Sequence, residues 1–348
     1  MKQHNLKFIL LAFGVVFFSS CTQLLYTSLD VLRPAKVEFK TDANDLLIVN
    51  NTVVQPQNYG HKTILMNNKS TNVLIASDSL AIFCLSSLAE DIENKAFFNS
   101  VQVLPNSVNT SFEFFGPNKL SDDTTRMLCK SNQTNVILSL DNIKVNDDLN
   151  EYYLEDNYSF LNSLEVKYET TWSIHYPDIL DVKTISFKDT LYWETQSDDR
   201  RKAQSDMPNR EDALIDGALE VGRKCVNRFT PYWEKVDRYF FTSGNKNIKQ
   251  GMDSVYVKNW KSAIEIWTSI YNKTNNCLVQ AYAANNIAIA NEISGNIDKA
   301  LEFATKSYYS FGKLTIPDYS SFIRVLDYVN ELNQRKKEIK ILKKQLGE

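Results

Sequence analysis

The chain has 348 residues, of which 43% are hydrophobic and 23% are charged, and its formal net charge is −3. This composition indicates a folded protein and disfavours nucleic acid as a partner, because nucleic-acid binding calls for an excess of basic residues. The length predicts two domains, each large enough to bury a core of its own. None of the five cysteines lies in a C-x-x-C pair or near a histidine, so we expect no metal site and no cofactor.

The first residues of the chain have the three parts of an export signal. Lys2 and Lys7 are basic, the run Phe8–Phe18 is apolar or small throughout, and two serines precede Cys21. The apolar run is too short to cross a bilayer as a helix, which needs about 20 residues. The segment therefore predicts export rather than a membrane-spanning helix.

The small residues directly before Cys21 resemble the signal of bacterial lipoproteins, although Phe18 occupies a position where that signal prefers leucine. The resemblance implies a signal peptide over residues 1–20, lipidation of Cys21 and a tether over residues 21–36. Two or more acyl chains would hold the protein on a membrane. The alternative is a buried amino-terminal helix in which the cysteine occurs by chance.

Strand and helix patterns alternate over residues 37–241, which we predict to form an α/β domain with a mixed sheet. The strands are predicted at Val37–Phe39, Leu46–Val49, Phe97–Leu104 and Asn135–Val145, and the helices at Ser79–Asn94 and Lys119–Ser131. The second of these strands is so evenly apolar that we expect it to be buried on both faces.

The clearest strand pattern is Leu164–Tyr176, where apolar and polar side chains alternate. One face of this strand should pack in the core and the other should contact water, which would leave His175 solvated. Residues 185–193 continue the alternation and predict an antiparallel partner in a long hairpin. We expect a loop at Gln196–Met207 and a helix capped by Asn209.

A segment that repeats itself lies between Gly251 and Tyr308. An offset of 37 positions aligns Lys258–Tyr271 with Gly295–Tyr308. The identical pairs are Asn259 and Asn296, Ala263 and Ala300, Glu265 and Glu302, Thr268 and Thr305, and Tyr271 and Tyr308. This spacing predicts two successive helical hairpins.

The turn of the second copy has the stop and start residues of a helical hairpin, with Gly295 ending one helix and Asn296 capping the next. This turn resembles that of a tetratricopeptide repeat. The first copy is weaker, because it has Lys258 at the turn glycine and Trp267 where the second copy has Ala304.

We predict that the carboxyl-terminal segment Pro317–Glu348 is helical and caps the repeats, since two repeats alone rarely bury enough surface to be stable. Its basic end is expected to be a solvated helix face, with contact to anionic lipid as the alternative. The predicted architecture is thus an α+β or α/β amino-terminal domain with a mixed sheet. An all-α domain of tetratricopeptide-like helical hairpins follows over residues 246–348.

The order of elements is similar to that of small α/β domains in bacterial envelope lipoproteins, including the curli-secretion type. Arg33-Pro34-Ala35, the run Leu47–Asn51 and the late repeats, taken with the signal, resemble an uncharacterised family of Bacteroidota lipoproteins. This resemblance implies a location in the bacterial cell envelope and brings no known activity. The acidic run of surface-exported members is missing after Cys21, so we expect a lipid anchor at the periplasmic face of the outer membrane.

The sequence contains no G-x-S-x-G, H-E-x-x-H, phosphate-loop or dinucleotide motif. His61 lies in a predicted loop, where little supports a role as a ligand. We therefore predict that the protein is not an enzyme.

The cysteines that follow Cys21 are expected to be structural. Cys84 and Cys225 lie in apolar helix patterns, which predicts buried thiols. In an oxidising compartment, a disulfide between Cys84 and Cys129 is the alternative.

Tetratricopeptide units bind partners and carry out no chemistry, so this resemblance implies that the helical repeats recruit an envelope protein. We predict contacts from polar and aromatic residues on the first helix of each unit. These residues are Asp253, Tyr256, Tyr282, Asn285 and Asn291.

Three alternatives stay open. The repeats could brace the α/β domain without binding a partner. The protein could be a structural subunit that forms a homo-oligomer through the α/β domain. It could also bind a glycan or peptidoglycan through an aromatic hairpin that contains Tyr152, Tyr153, Tyr158 and Tyr192.

Overall fold

The computed structural model describes residues 24–116, 118–243 and 246–348. These residues form two compact units. The α/β unit comprises residues 34–232 with 344–348, and the helical unit comprises residues 24–33 with 233–343. The mixed sheet of the first unit and the run of helices in the second confirm the predicted fold class.

The elements follow one another along the chain as follows. Strand β1 (Leu24–Arg33) belongs to the helical unit. The strands of the α/β unit are β2 (Asp45–Asn50), β3 (His61–Ile64), β4 (Ser70–Asn72), β5 (Ser100–Leu104), β6 (Val136–Leu154), β7 (Ser159–Tyr176) and β8 (Ile179–Ser197). Its helices are α1 (Leu80–Asn94), α2 (Asp122–Asn132), α3 (Arg200–Ser205) and α4 (Arg210–Phe229). The helical unit continues with β9 (Tyr232–Phe241), α5 (Lys246–Tyr256), α6 (Trp260–Lys273), α7 (Cys277–Ile293), α8 (Ile297–Gly312) and α9 (Tyr319–Gln345).

The sheet of the α/β unit is built around the long strand β6. Its order is β4-β3-β6-β2-β5, and β7 and β8 extend it from the other edge of β6 as an antiparallel hairpin. Strand β6 is parallel to β2 at its beginning and parallel to β3 near its end. The predicted strand at Asn135–Val145 is therefore correct in position, and it runs further because its second half gains β3 as a partner.

Helices cover both faces of this sheet. The buried side chains of α1 and α4 pack with Leu46 and Ile48 on one face, and those of α2 pack with Leu47 and Val49 on the other. The expectation that this strand is buried on both faces is confirmed. Because Cys84 of α1 and Cys129 of α2 lie on opposite faces, the alternative disulfide between them is wrong, and both thiols are free.

Three local predictions differ from the structure. Residues 37–39 do not form a strand, because the Val37 N–H donates to the Arg228 carbonyl at the end of α4 rather than to a strand. The expected loop at Gln196–Met207 contains α3, whose amino-terminal N–H groups donate to the Asp199 side chain. Residues 24–33 of the expected tether form strand β1, which pairs with β9.

The two turns of the helical hairpins share one backbone conformation. Gly295 has φ of 81° and Lys258, at the equivalent position, has φ of 56°. The next residue caps a helix in both copies: Asn259 accepts from the Ser262 N–H and Asn296 accepts from the Lys299 N–H, each at 3.2 Å. The predicted hairpin chemistry is confirmed, and Lys258 adopts a left-handed conformation that glycine would adopt with less strain.

Trp267 accounts for the weaker first copy. A Cβ atom on Gly251 would lie 2.1 Å from Nε1 of Trp267. The Trp267 indole on α6 therefore occupies the space that a side chain at Gly251 on α5 would need. The second copy has Ala288 and Ala304 at these two positions, and both are fully buried. The copies thus pack these two positions with different pairs of residues, glycine with tryptophan in the first and two alanines in the second.

Within the described ranges, no helix combines the length and the apolar character that crossing a bilayer would require. Cys21 and the rest of the expected signal lie outside the described residues.

Candidate ligand-binding site

The predicted partner-binding groove of the helical unit is already occupied by its own chain. Strand β9 lies along α7, where Asn286 Nδ2 donates to the Phe241 carbonyl at 2.8 Å and Asn286 Oδ1 accepts from the Phe241 N–H at 2.9 Å. Asn285 Nδ2 donates to the Tyr239 carbonyl at 3.0 Å. Two adjacent asparagines therefore hold an extended main chain against the first helix of the second repeat.

This arrangement corrects three of the predicted site residues. Tyr282 is buried and its ring stacks on Phe241 with centroids 4.2 Å apart. Asn285 is buried in contact with β9, and Asn291 is buried and donates to the Ile287 carbonyl within its own helix. The reason is that α7 is covered on all sides, so its polar residues bond to the chain rather than to a partner.

The other predicted residues of the repeats have a different environment. Asp253 and Tyr256 lie on α5 and are exposed, with 67% of the tyrosine accessible to solvent. Val257, directly after α5, is also exposed. A role for Asp253 and Tyr256 in partner binding stays a prediction.

A cluster of hydrogen-bonded polar residues lies in the α/β unit, where β6 departs from regular pairing. The register of β6 with β7 shifts at Asp141, which is the additional residue of a bulge. Its carboxylate accepts from Asn51 Nδ2 at 3.0 Å, from the Ser139 hydroxyl at 2.7 Å and from the Ser173 hydroxyl at 2.5 Å. Three donors therefore converge on one buried carboxyl group, which in its ionised form accepts hydrogen bonds and donates none.

His175 extends this cluster, which contradicts its expected place on a solvated surface. Its ring is buried, and Nε2 lies 3.0 Å from the Ser139 hydroxyl oxygen. When the single Ser139 proton is directed to Asp141, Nε2 of His175 is the atom that donates to Ser139. The polar face of β7 is thus covered at this end, although its apolar face is in the core as predicted.

Burial dominates the acid–base properties of the cluster. It raises the pKa of the Asp141 carboxyl above its usual value, although the hydrogen bonds from Ser173, Asn51 and Ser139 act in the opposite direction. Burial and, to a lesser extent, the positive charge of Lys119 lower the pKa of His175 to about 4, and Asp122 acts in the opposite direction. The carboxylate and the neutral imidazole are therefore held by hydrogen bonds rather than by an ion pair.

Asn51 joins the cluster to an open cavity of about 340 Å³, which we name the amide cavity and which this residue lines. The cavity lies beyond the carboxyl end of β2, a position where open α/β sheets commonly bind ligands. It is lined by Asn51, Val108, Asn109, Thr110, Ser111, Asn118, Lys119, Leu120, Ser121 and Thr124. Side-chain amides and hydroxyls thus dominate its surface.

One side-chain amide at the amide cavity, that of Asn118, has an Nδ2 without a hydrogen-bond partner in the described part of the chain. The residue is buried. An unpaired buried donor costs about 1–3 kcal/mol, so an acceptor in the cavity would recover this free energy. The two amides of Asn51 and Asn109 are held in place, since Asn109 Nδ2 donates to the Asn51 carbonyl at 2.9 Å.

His61 also proves to be part of the interior rather than of a loop. It begins strand β3, where its Nδ1 contacts the Asp147 carboxylate, and both residues are buried. Arg210 at the start of α4 contacts the same carboxylate at 2.5 Å. All three side chains are thereby engaged with one another inside the α/β unit.

The aromatic hairpin of the glycan alternative is exposed. Tyr158 lies at the tip between β6 and β7 with 76% of its surface accessible, and Tyr152, Tyr153 and Tyr192 are also exposed. The Tyr192 hydroxyl donates to Glu165 at 2.9 Å. These residues line an open strand surface, whereas the amide cavity is concave.

Sequence reasoning did not identify the amide cavity. The signal in the sequence was the polar run Asn50-Asn51-Thr52 directly after a buried parallel strand. This run lies at the carboxyl edge of the sheet, where open α/β sheets commonly bind ligands. The partners of Asn51 come from residues 109, 118 and 141, which no local pattern connects.

Comparisons with known proteins find families but no function. A search of curated proteins gives no match. A solved structure titled "Crystal structure of uncharacterized protein" shares 11% identity over 55% of this chain and 97% of that chain, with a TM-score of 0.23.

Two family models match the chain in succession. The second, described as Domain of unknown function (DUF6340), matches residues 249–334. The first, described as Domain of unknown function (DUF8603), matches residues 43–241, which is more than half of the chain. The chain therefore belongs to the family described as Domain of unknown function (DUF8603).

Proposed function

We propose that this chain is a lipid-anchored, non-catalytic binding protein of the bacterial envelope, and that its amide cavity binds a neutral glycan. The observation that carries the proposal is Asn118, a residue that lines the cavity and whose buried Nδ2 has no hydrogen-bond partner among the described residues. A ligand hydroxyl would accept this hydrogen bond and donate to neighbouring amide oxygens. Sugars present many such groups, because each hydroxyl both donates and accepts.

The charges around the cavity favour a neutral ligand over an anion. Among the described residues that line it, Lys119 alone carries a charge. Asp122 and Asp123 occupy the first turn of α2, beside the lining residue Ser121 that caps this helix. Their negative charges offset the attraction that a helix amino terminus has for anions.

Exposed aromatic residues that follow the cavity lining in the chain support a glycan in particular. Phe112 and Phe115 follow the lining residues 108–111 in the chain, and 98% and 69% of their surfaces are accessible. Exposed rings of this kind can pack against the apolar C–H face of a sugar, while the amides bond to its hydroxyls. Amide groups and aromatic rings together fit a sugar better than they fit a purely apolar ligand.

The direction of the hydrogen bonds under the cavity supports binding rather than catalysis. A serine nucleophile needs a base that accepts its proton. Here the Ser139 hydroxyl lies 2.7 Å from the Asp141 carboxylate and 3.0 Å from Nε2 of His175, and when its one proton is directed to Asp141 the imidazole is a donor rather than a base. The cluster therefore orients Asn51 and supports the floor of the cavity.

Co-sedimentation with purified peptidoglycan sacculi tests this proposal. The full chain should pellet with sacculi, and soluble oligomers of N-acetylglucosamine should release it. A chain that stays in the supernatant, and that shows no binding to soluble glycans, would contradict a glycan ligand.

The lipid anchor rests on the signal-like segment before Cys21. Cys21→Ser should move the protein from the detergent phase to the aqueous phase in a Triton X-114 partition. The unsubstituted chain should resist protease added to intact cells, as a periplasmic location requires. Degradation on intact cells would place the protein on the outer surface instead.

Recruitment of an envelope protein by the tetratricopeptide-like unit is the second candidate function. It is supported by the exposed side chains of Asp253, Tyr256 and Val257 around the end of α5. Cross-linking in membranes should then capture a partner with the unsubstituted chain and lose it with Tyr256→Ser. The same partner captured equally by both chains would contradict a contact at this surface.

A further inference from the structure

The start of β1 lies at one end of the helical unit. The Tyr26 hydroxyl accepts from Arg324 Nη1 of α9 at 3.2 Å, and its ring lies 6.3 Å from the ring of Tyr239 on β9. Two residues further along β9, Phe241 packs on Phe311 near the end of α8, with ring centroids 5.7 Å apart. The first residues of β1 are thereby held beside the connection between α8 and α9.

Large apolar and aromatic side chains are exposed at this end. Tyr319 and Ile323 lie one turn apart on α9. Tyr308 of α8 packs on Phe322 of α9 with ring centroids 4.7 Å apart, and its neighbour Tyr309 is exposed. A group of such residues, unlike a single one, indicates an interaction surface. We name it the apolar end, and its members are Tyr26, Tyr309, Ile316, Tyr319 and Ile323.

Charged residues border the apolar end. Lys313 is exposed in the connection between α8 and α9, and Arg324 is exposed on α9. The Asp318 carboxylate accepts from the Ser321 N–H at 3.1 Å at the start of α9, and Asp327 is exposed one turn further from the end. Basic side chains beside tyrosines suit the border of a bilayer, because they reach the headgroups while the rings lie at the interface.

The chain before β1 leaves little distance between this end and Cys21. Leu24, the first residue of β1, follows Cys21 by three positions. An extended chain spans at most about 3.6 Å per residue, so Cys21 lies within about 11 Å of Leu24. If Cys21 carries acyl chains, the apolar end is therefore the part of the helical unit that the anchor brings to the bilayer.

The basic residues near the carboxyl end of α9 lie away from this anchor. Strand β1 has ten residues, which span about 30 Å. Arg33 at its far end contacts Glu338 of α9 at 2.9 Å. Lys340, Lys343 and Lys344 follow Glu338 along the helix. A lipid contact at the apolar end thus differs from the contact through basic residues that the sequence left open.

We propose that the apolar end lies on the bilayer that holds Cys21, with the tyrosine rings at the headgroup level and the isoleucine side chains toward the acyl chains. This proposal rests on the lipid anchor of the proposed function. The turn at Gly295 begins α8, so it lies about 24 Å from the apolar end. The short connection between α6 and α7 makes these helices antiparallel neighbours, which places the turn at Lys258 beside Gly295. Tyr256 would then face away from the membrane.

A photo-crosslinking amino acid in the lipidated full chain tests the proposal. We place p-benzoylphenylalanine at the position of Tyr319 or of Tyr256, which are 73% and 67% accessible and lie at opposite ends of the helical unit. Each protein is reconstituted in phosphatidylcholine vesicles, irradiated and analysed by mass spectrometry. We expect lipid adducts about tenfold more often at position 319, because only the apolar end enters the interface.

Ile323→Asp tests the apolar contact itself. A carboxylate at this position should lower lipid crosslinking at position 319 about three- to tenfold, because a charge disfavours entry into the interface. Ile341→Asp is the matched control, since Ile341 is 43% accessible against 50% for Ile323 and lies about 27 Å further along α9. It should leave the crosslinking unchanged.

Four outcomes would overturn the proposal. Equal lipid crosslinking at positions 319 and 256 would show no preferred end, and equal effects of Ile323→Asp and Ile341→Asp would show a general effect of charge. Crosslinking of position 319 to a second copy of the chain instead of lipid would make the apolar end a protein interface. A purified chain whose mass shows no acyl groups would remove both the anchor and this contact. An acylated chain without lipid adducts at position 319 would contradict the contact alone and leave the anchor in place.

Discussion

Asn51 donates from Nδ2 to Oδ1 of Asp141 at 3.0 Å. This contact joins the residue that follows a buried parallel strand to the bulge of the neighbouring strand β6. It fixes the floor of the amide cavity, because the same Nδ2 also contacts the Asn118 carbonyl. The main chain beside the unpaired Asn118 amide is thereby tied to the sheet.

Asp141→Leu should destabilise the protein by roughly 2–4 kcal/mol. It leaves the Asn51, Ser139 and Ser173 donors buried without their acceptor, although it also removes a carboxylate that is costly to bury. Asp141→Asn keeps an acceptor oxygen and should cost less than about 1 kcal/mol. Urea denaturation of both variants measures this difference, and an equal cost would show that the donors are not satisfied through Asp141.

His175 should make the protein less stable as the pH falls. Its pKa is about 4 in the folded chain and 6.5 in the unfolded chain, so the unfolded chain binds the extra proton first. Stability contributed by the neutral ring is thus complete above about pH 6.5 and is lost progressively toward about pH 4, by roughly 3 kcal/mol in total.

His175→Gln isolates this effect, because glutamine can still donate to Ser139 but does not titrate. The raised pKa of Asp141 acts in the opposite direction, since the folded chain then binds that proton more readily, and it is present in both proteins. Lys119 and Asp122 also face His175 in both. The difference in unfolding free energy between the unsubstituted protein and His175→Gln should therefore be smaller at about pH 4.5 than at about pH 7. A difference that is the same at both pH values would contradict a buried neutral ring.

Asn286→Ala should destabilise the helical unit by about 2–4 kcal/mol. Both main-chain groups of Phe241 lose their partner in a buried position, and a small cavity forms. Asn291→Ala is the matched control, because Asn291 bonds only within its own helix and should cost less than about 1 kcal/mol. Hydrogen exchange should become faster at the Phe241 amide in the first variant alone.

Gly251→Ala should destabilise the helical unit by about 1–3 kcal/mol, despite the better helix propensity of alanine. The new Cβ would overlap the Trp267 indole. Combining it with Trp267→Phe should cost at least about 1 kcal/mol less than the sum of the two single substitutions. Gly312→Ala is the control, since its Cβ would meet Phe322 at an ordinary 3.8 Å. Additive costs in the double variant would show that the two residues do not compete for the same space.

The sequence predicted the elements whose causes are local. Leu46–Val49 is apolar throughout, and Gly295 with Asn296 carries its own turn and cap chemistry, so the strand and the hairpin were found. The repeat offset likewise located α5 to α8. A periodic apolar pattern or a helix cap depends only on residues that are close in sequence, so both can be recognised from the sequence alone.

The sites depend on distant contacts and could not be found in this way. Asn285 has the spacing of a groove residue, yet it is buried because β9 returns to cover α7. His175 alternates with the apolar residues of β7, which predicts a solvated position. It is nevertheless buried and hydrogen-bonded to Ser139. Alternation identifies which side chains share a face, whereas only the packing of other elements decides whether that face is exposed.

The heat of binding of an N-acetylglucosamine trimer to the full chain and to Asn118→Ala tests the central claim most directly. The substitution removes a side-chain donor that has no partner in the described structure, so folding should be unaffected while affinity falls about 3- to 10-fold. Asn162→Ala removes another buried, unpaired Nδ2 far along the hairpin and should leave affinity unchanged. Absence of binding to the unsubstituted chain, or equal affinities for all three proteins, would contradict a glycan site in the amide cavity.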